Sequence, residues 1–299
     1  MRHCFSGKVN AAWLAFIASV ALFAGLVFLL AGSSERSAHT HNGKPLVVYC
    51  AAGIKPPVDA AARDYEKLYG VPVQLQYGGS QTLLANVEVS KIGDLYLPAD
   101  DSYISIAREK KLIDEVLPLA RMQLRLAVRK SNPKGVKSLK DLLEKDVKIC
   151  QANPDAAAVG KMTRAALIKT GDWETLKERT AVFKPTVNEV ANDIKIGSVD
   201  AGFVWDSTIS QYSELEGIEL PEIKGVEAKI SVAVLKNTTQ PAAALRFARF
   251  LAARDKGLQE FQKYGYTPVD GDAWNERPEI RLMAGAMLRP AIEETIKRF

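Results

Sequence analysis

The chain has 299 residues, 47% hydrophobic and 25% charged, which is enough for one large or two modest domains of an ordinary globular protein. Its formal net charge of +5 falls to +3 once residues 1–33, which carry Arg2 and Lys8 and no acid, are set aside; no dense Lys/Arg stripe interleaved with aromatics remains, so nothing points to nucleic acid. All three histidines, His3, His39 and His41, precede the first expected strand, leaving the folded part without an imidazole for general-base chemistry, a His-activated nucleophile or a His-type metal site.

Ala11 to Gly32 is uninterrupted by charge and is followed by Ser33-Ser34-Glu35-Arg36, the pattern of a signal sequence or an N-terminal membrane anchor covering residues 1–33. Ala31-Gly32-Ser33 offers small residues for cleavage, and no cysteine at its end supports lipoprotein processing. Residues 34–44 are polar and read as a linker. The first strand, Leu46–Cys50, then feeds Ala51-Ala52-Gly53 and a helix over Pro57–Tyr69. A second strand, Val73–Gln76, runs through Tyr77-Gly78-Gly79-Ser80 into a helix over Thr82–Val89. A helix start leaves N–H groups unpaired and carries partial positive charge, so an oxyanion is stabilised there. Gly, Ala and Ser at these turns let the backbone approach such a ligand, which suggests a binding site rather than a catalytic one. Lys55 lacks the Gly-x-x-x-x-Gly-Lys frame of a nucleotide phosphate loop and reads as a solvated charge.

Further along, helices are expected at Ser102–Lys110, Leu139–Leu143, Val159–Thr170, Val187–Ile196, Pro241–Ala253 and Lys256–Tyr264. Strands are expected at Asp94–Leu97, Leu124–Val128, Val147–Ile149, Ala201–Trp205 and Ile230–Leu235. This alternation implies an α/β fold, a mostly parallel sheet flanked by helices, with ligands at the carboxyl ends of the strands. Met122–Arg129 and Ala228–Lys236 are candidate crossing strands. They would divide the chain into one domain over 45–124 plus 230–299 and a second over 125–229, with a cleft between. Asp94, Asp100 and Asp101 read as caps and hinge contacts, Asn153-Pro154-Asp155 as a turn, and Leu245, Phe247, Ala248, Phe250 and Leu251 as core. Asp206 and Asn188 are secondary site candidates. Cys50 and Cys150 read as small buried side chains, with a disulfide between them left open. The tail, Ile280–Phe299, reads as an amphipathic helix kinked at Pro290 and packed on the first domain.

Four stretches, VYCAAGIKPPVDAAARDYEKLYG, YGGSQTLLANVEVSKIGDLYLPADDSYI, NPDAAAVGKMTRAALIKTG and VNEVANDIKIGSVDAGFVWDS, resemble the periplasmic molybdate-binding proteins of ABC importers, within the type II periplasmic-binding-protein fold. The resemblance runs from Val47 to about Asp270. It implies a tetrahedral oxyanion, molybdate or tungstate, held in the cleft by neutral hydrogen bonds from four places. These are the Ala52–Gly53 turn, Gly79 and Ser80, the helix start at Ala158–Val159, and Val187 together with Trp205. The family usually places a serine where this chain has Gly53 and a tyrosine where it has Trp205, so another oxyanion or a small organic acid remains an alternative. It further implies no enzymatic activity, no cofactor, no resident metal, a monomer in the periplasm or on the outer face of the cytoplasmic membrane, and an ABC permease as partner. A membrane-tethered sensor or scaffold with the same cleft is the other reading.

Overall fold

A computed structural model describes residues 44–277 and 285–298; the expected signal or anchor segment, and the linker up to Gly43, lie outside the described residues. The first half opens with β1 (Leu46–Ala51), a 3₁₀ turn over Ala52–Ile54 and α1 (Lys55–Tyr69). Pro56 and Pro57 sit in the first turn of α1, where a missing N–H is no loss. Val58, Ala61, Ala62 and Tyr65 follow at helical spacing and are buried. Gly70, at φ 64°, ends the helix in the left-handed conformation that favours glycine. β2 (Val73–Gly78), α2 (Ser80–Ser90), β3 (Leu95–Leu97) and α3 (Asp101–Glu109) complete the opening βα units.

β4 (Ile113–Arg129) is 17 residues long and carries the chain from one half to the other. The second half contains α4 (Leu139–Glu144), β5 (Ile149–Ala152), α5 (Ala158–Thr170), α6 (Trp173–Arg179), β6 (Thr180–Lys184), α7 (Val187–Lys195), β7 (Ala201–Trp205), α8 (Asp206–Ser210) and β8 (Leu215–Ile218). β9 (Glu227–Leu235), α9 (Pro241–Leu251), α10 (Gly257–Lys263) and the two-residue β10 (Thr267–Pro268) return to the first half.

The main strand order is β2-β1-β3-β9-β4-β7-β5-β6. β1 is parallel to β2 and β3, and β5 is parallel to β6 and β7. Among the described residues every antiparallel pairing involves β4 or β9, the strands that lie where the chain passes between halves. β4 pairs with β9 up to Gln123 and with β7 from Leu124 onward. Among the described residues β9 pairs only with β3 and β4, so of the two candidate crossing strands β4 alone has ladder partners in both halves; the return passes through the segment before Glu227, where Leu124 N–H donates to Val226 O at 2.9 Å. Asp206 ties this crossing point, accepting from the Gln123 N–H at 2.9 Å and the Ser207 N–H at 2.7 Å.

The core of the first half includes the Tyr65, Phe247 and Phe250 rings, with Trp274 brought back over them by residues 269–277 and edge-on to Phe250 at 5.3 Å. Asp94 acts as an internal tie, accepting from Val47 N–H, the Thr238 hydroxyl and Gln240, and Asp100 caps α3 through Ser102 N–H. Cys50 and Cys150 are buried and free, one in β1 and the other in β5. The tail departs from expectation: its described part is a 3₁₀ turn over Ala286–Leu288 and α11 (Arg289–Arg298), with Met287 95%, Leu288 59% and Ile296 61% exposed instead of packed on the first half. Pro290 falls in the first turn of α11 and marks a start, not a kink.

Candidate functional site

Six strand or loop ends meet between the halves. The carboxyl ends of β1 and β2, the Ala99 loop after β3, the residues before α5 and α7, and Trp205 at the end of β7 enclose a cavity of about 240 Å³ counted to its mouth. Even that figure, which includes space open to solvent, falls below the roughly 300 Å³ at which sites for drug-sized ligands start, so the occupant has to be small. The lining is Ala51, Ala52, Gly53, Gly78, Gly79, Ser80, Ala99, Ala157, Ala158, Val159, Thr186, Val187 and Trp205. No ionisable side chain is among them.

Helix starts supply the polarity instead. The residues preceding the 3₁₀ turn, α2 and α5 are Ala51, Gly79 and Ala157, and none provides a side-chain cap. Their first-turn N–H groups are therefore not covered by the chain's own side chains. α7 differs, because Thr186 caps the Glu189 N–H and donates to the Glu189 carboxylate. That box serves the third helical residue and leaves the Val187 N–H at the first.

Two buried phenols orient the backbone of the site. Tyr96 donates to Ser80 O at 2.8 Å, and Tyr266 donates to Gly53 O. Burial pushes both phenols up, so they stay protonated donors. Ser80 is 1% exposed, and its Oγ accepts from Ala99 N–H at 3.1 Å, which leaves the hydroxyl hydrogen to donate. Trp205 is 1% exposed and presents its indole edge to the same cavity, Nε1 lying 3.6 Å from where a Cβ on Gly53 would be. Across the cleft, Gln81 N–H donates to Ala156 O at 3.0 Å, and Lys161 Nζ reaches Ser102 Oγ at 2.9 Å and stands 4.5 Å from the Tyr103 ring centre. The two halves are therefore in contact around the cavity.

A family model described as bacterial extracellular solute-binding protein matches residues 46–267. The chain belongs to that family. It is similar to the molybdate-binding protein ModA of Mycobacterium tuberculosis, 26% identical over 242 residues, which is 79% of this chain and 91% of the relative. Among solved structures it resembles the Azotobacter vinelandii periplasmic molybdate-binding protein, with TM-score 0.60, 20% identity, and 74% of this chain and 98% of that one covered. It also resembles the sulfate-binding protein SubI of Mycobacterium tuberculosis, with TM-score 0.65, 17% identity, and 76% and 88% coverage. The fold is that of the type II periplasmic-binding proteins, and this solute-binding protein is not an enzyme.

Within the solute-binding protein, all eight candidate site residues, Ala52, Gly53, Gly79, Ser80, Ala158, Val159, Val187 and Trp205, lie on the wall of this one cavity. Asn188 and Asp206 do not line it, and Lys55 stands outside it over the Tyr77 ring at 4.8 Å. Ala51 and Gly78 also line it and belong to the two small-residue turns singled out above, whereas Ala99, Ala157 and Thr186 are lining residues that sequence reading passed over. Two of them carried a signal. Thr186 and Glu189 form an S/T-x-x-E box ahead of an apolar run, and Ala99 follows β3, next to β1, at the strand end where ligands of open α/β sheets bind.

Proposed function

We propose that this solute-binding protein captures a small tetrahedral oxyanion, molybdate or tungstate first, in the cleft and delivers it to an ABC permease at the outer face of the cytoplasmic membrane. It would act as a periplasmic monomer. One observation carries the reading: uncapped helix starts, the Ser80 hydroxyl and the Trp205 indole converge on a cavity with no charged wall residue. Hydrogen bonds to a charged group contribute about 1.5–3 kcal/mol each. About half a dozen exceed the roughly 8–12 kcal/mol of micromolar to nanomolar affinity, and the surplus offsets desolvation and closure. The molybdate-binding relative supports the choice of ligand, and membership of a family of extracellular solute-binding proteins supports capture outside the cytoplasm.

Calorimetry of the purified protein with molybdate, tungstate, sulfate, phosphate and small carboxylates tests this. One or two tight tetrahedral oxyanions are expected. Binding of a carboxylate alone would refute the oxyanion reading and leave the receptor reading standing. A second reading, a tethered sensor or scaffold working through the tail, draws on the exposed Met287, Leu288 and Ile296. Transport that survives truncation after Arg277 would dismiss it.

A further inference from the structure

The two halves meet on glycine. An ideal Cβ placed on Gly79 would stand 2.5 Å from Ala156 O and 2.9 Å from Pro185 O, both backbone atoms of the opposite half. The Gln81 N–H bond to Ala156 O lies beside that contact and fixes it. On the other side of the cavity, a Cβ on Gly53 would stand 2.9 Å from Val187 Cγ1 and 3.5 Å from Trp205 Cδ1. Neither glycine has the left-handed φ that would by itself call for glycine. What these positions require is the absence of a side chain in the contact.

We propose that Gly53 and Gly79 set how closely the two halves approach, and through that distance the size of anion the cavity accepts. The inference rests on the oxyanion reading above and adds a size-determining role to two backbone positions. The two contacts differ in how much they yield. At Gly79 the opposing atoms are carbonyl oxygens held in the chain: Ala156 O accepts from Gln81, and Pro185 precedes the capped start of α7. Nothing there moves without shifting a helix. At Gly53 the opposing atom is one methyl of a β-branched side chain, so relief is available by removing that methyl. An extra carbon at position 79 therefore props the halves apart, whereas one at position 53 can be compensated from the other side.

The test is a calorimetric comparison of sulfate, the smaller anion, with molybdate and tungstate, the larger ones, on the wild-type chain and on Gly79→Ala, Gly53→Ala, Val187→Ala and the Gly53→Ala/Val187→Ala pair. Urea unfolding of each variant without ligand checks that it folds. Gly79→Ala is expected to weaken binding of every tight anion at least about tenfold and to weaken the smaller one most, with unfolding little changed. Gly53→Ala is expected to lose affinity, and adding Val187→Ala should restore most of it. Proportional losses for all anions, or a double variant that merely sums its singles, would overturn the proposal. A variant that fails to fold would overturn it too, because the position would then serve stability. Should the wild type bind no oxyanion, the functional reading falls and the size role falls with it, a result distinct from wild-type binding with unshifted selectivity.

Discussion

Ser80→Ala separates two roles of one hydroxyl. In the structure the Ser80 Oγ accepts from Ala99 N–H at 3.1 Å, and its own hydrogen is left for the cavity. The alanine variant removes a donor to the ligand and orphans a buried N–H at once. The first loss weakens binding by about 1.5–3 kcal/mol, a factor of roughly 10 to 150 in Kd, if the hydrogen meets an anion. The second lowers stability by about 1–3 kcal/mol, whether ligand is present or not. Calorimetry under conditions where the variant is fully folded reads the first, and urea unfolding without ligand reads the second. The main-chain scaffold should hold, because Tyr96 still donates to Ser80 O and Gln81 still bonds Ala156. A variant with reduced stability and a Kd within about twofold of wild type would show that the hydroxyl serves only Ala99, refuting its place in the site.

Trp205→Phe removes the indole donor and should weaken anion binding about tenfold or more. It should also abolish any ligand-induced change in intrinsic fluorescence, since Trp173 and Trp274, the other tryptophans among the described residues, do not line the cavity; a persisting signal would place the ligand elsewhere. With no cation in the wall, a tenfold rise in ionic strength should change Kd by less than about threefold, and a steeper fall would bring Lys55 or Lys161 into the site. Burial holds the Cys150 thiol up to about 12 and that of Cys50 well above its ordinary value, with Asp193 adding to the first and Asp59 to the second. A raised folded pKa means that the unfolded chain ionises first. The Cys150 contribution is therefore complete below about pH 8.5 and is lost as pH rises toward 12, by at most about 1.4 kcal/mol per pH unit, and that of Cys50 is lost in the same direction. Cys150→Ala should flatten part of the alkaline limb of the stability curve measured by urea unfolding, and an unchanged limb would refute the assignment.

The opening βα units were legible because each turn is written in local chemistry. Small residues at 51–53 and 78–80 separate β-rich runs from helices, and those helices have buried faces at regular spacing. The start of β4 was not legible. Its residues Asp114, Glu115 and Pro118 argue against a strand, and they are tolerated because the β4–β9 pairing has register shifts between Ile113 and Val116 and between Pro118 and Ala120. The short α6, α8 and β8 offered too few residues to establish a period, and β6 has only partly buried and exposed positions. At the site, Ser80 and Gly53 stood out from their turns. The tyrosines that orient them come from 16 and 213 residues away, distances at which no sequence pattern operates. The tail misled for a related reason: amphipathic spacing in Ile292 and Ile296 describes a helix, and does not say what covers it.

The same contacts that shape the cavity also decide which proton states it admits. A hydrogen-bearing anion needs an acceptor in the wall. Three carbonyls in or beside the wall already have a donor: Gly53 O takes the Tyr266 hydroxyl, Ser80 O the Tyr96 hydroxyl, and Ala156 O the Gln81 N–H. Thr186 Oγ1 is committed to Glu189, and one side of Ser80 Oγ to Ala99. The groups left for a ligand by the geometry above are donors: the Ser80 hydroxyl, the Trp205 indole N–H and the first-turn N–H groups of the uncapped starts. Such a lining stabilises an anion that carries full charge with no proton, and it leaves the proton of a hydrogen phosphate without a partner, at a cost of about 1–3 kcal/mol. Selection by protonation follows from how the acceptors are occupied, and selection by size from how near the two glycines let the halves come. The two filters meet at the same residues: Gly53 offers both the carbonyl that Tyr266 occupies and the missing side chain that Val187 approaches, and Ala156 O takes the Gln81 N–H while facing Gly79.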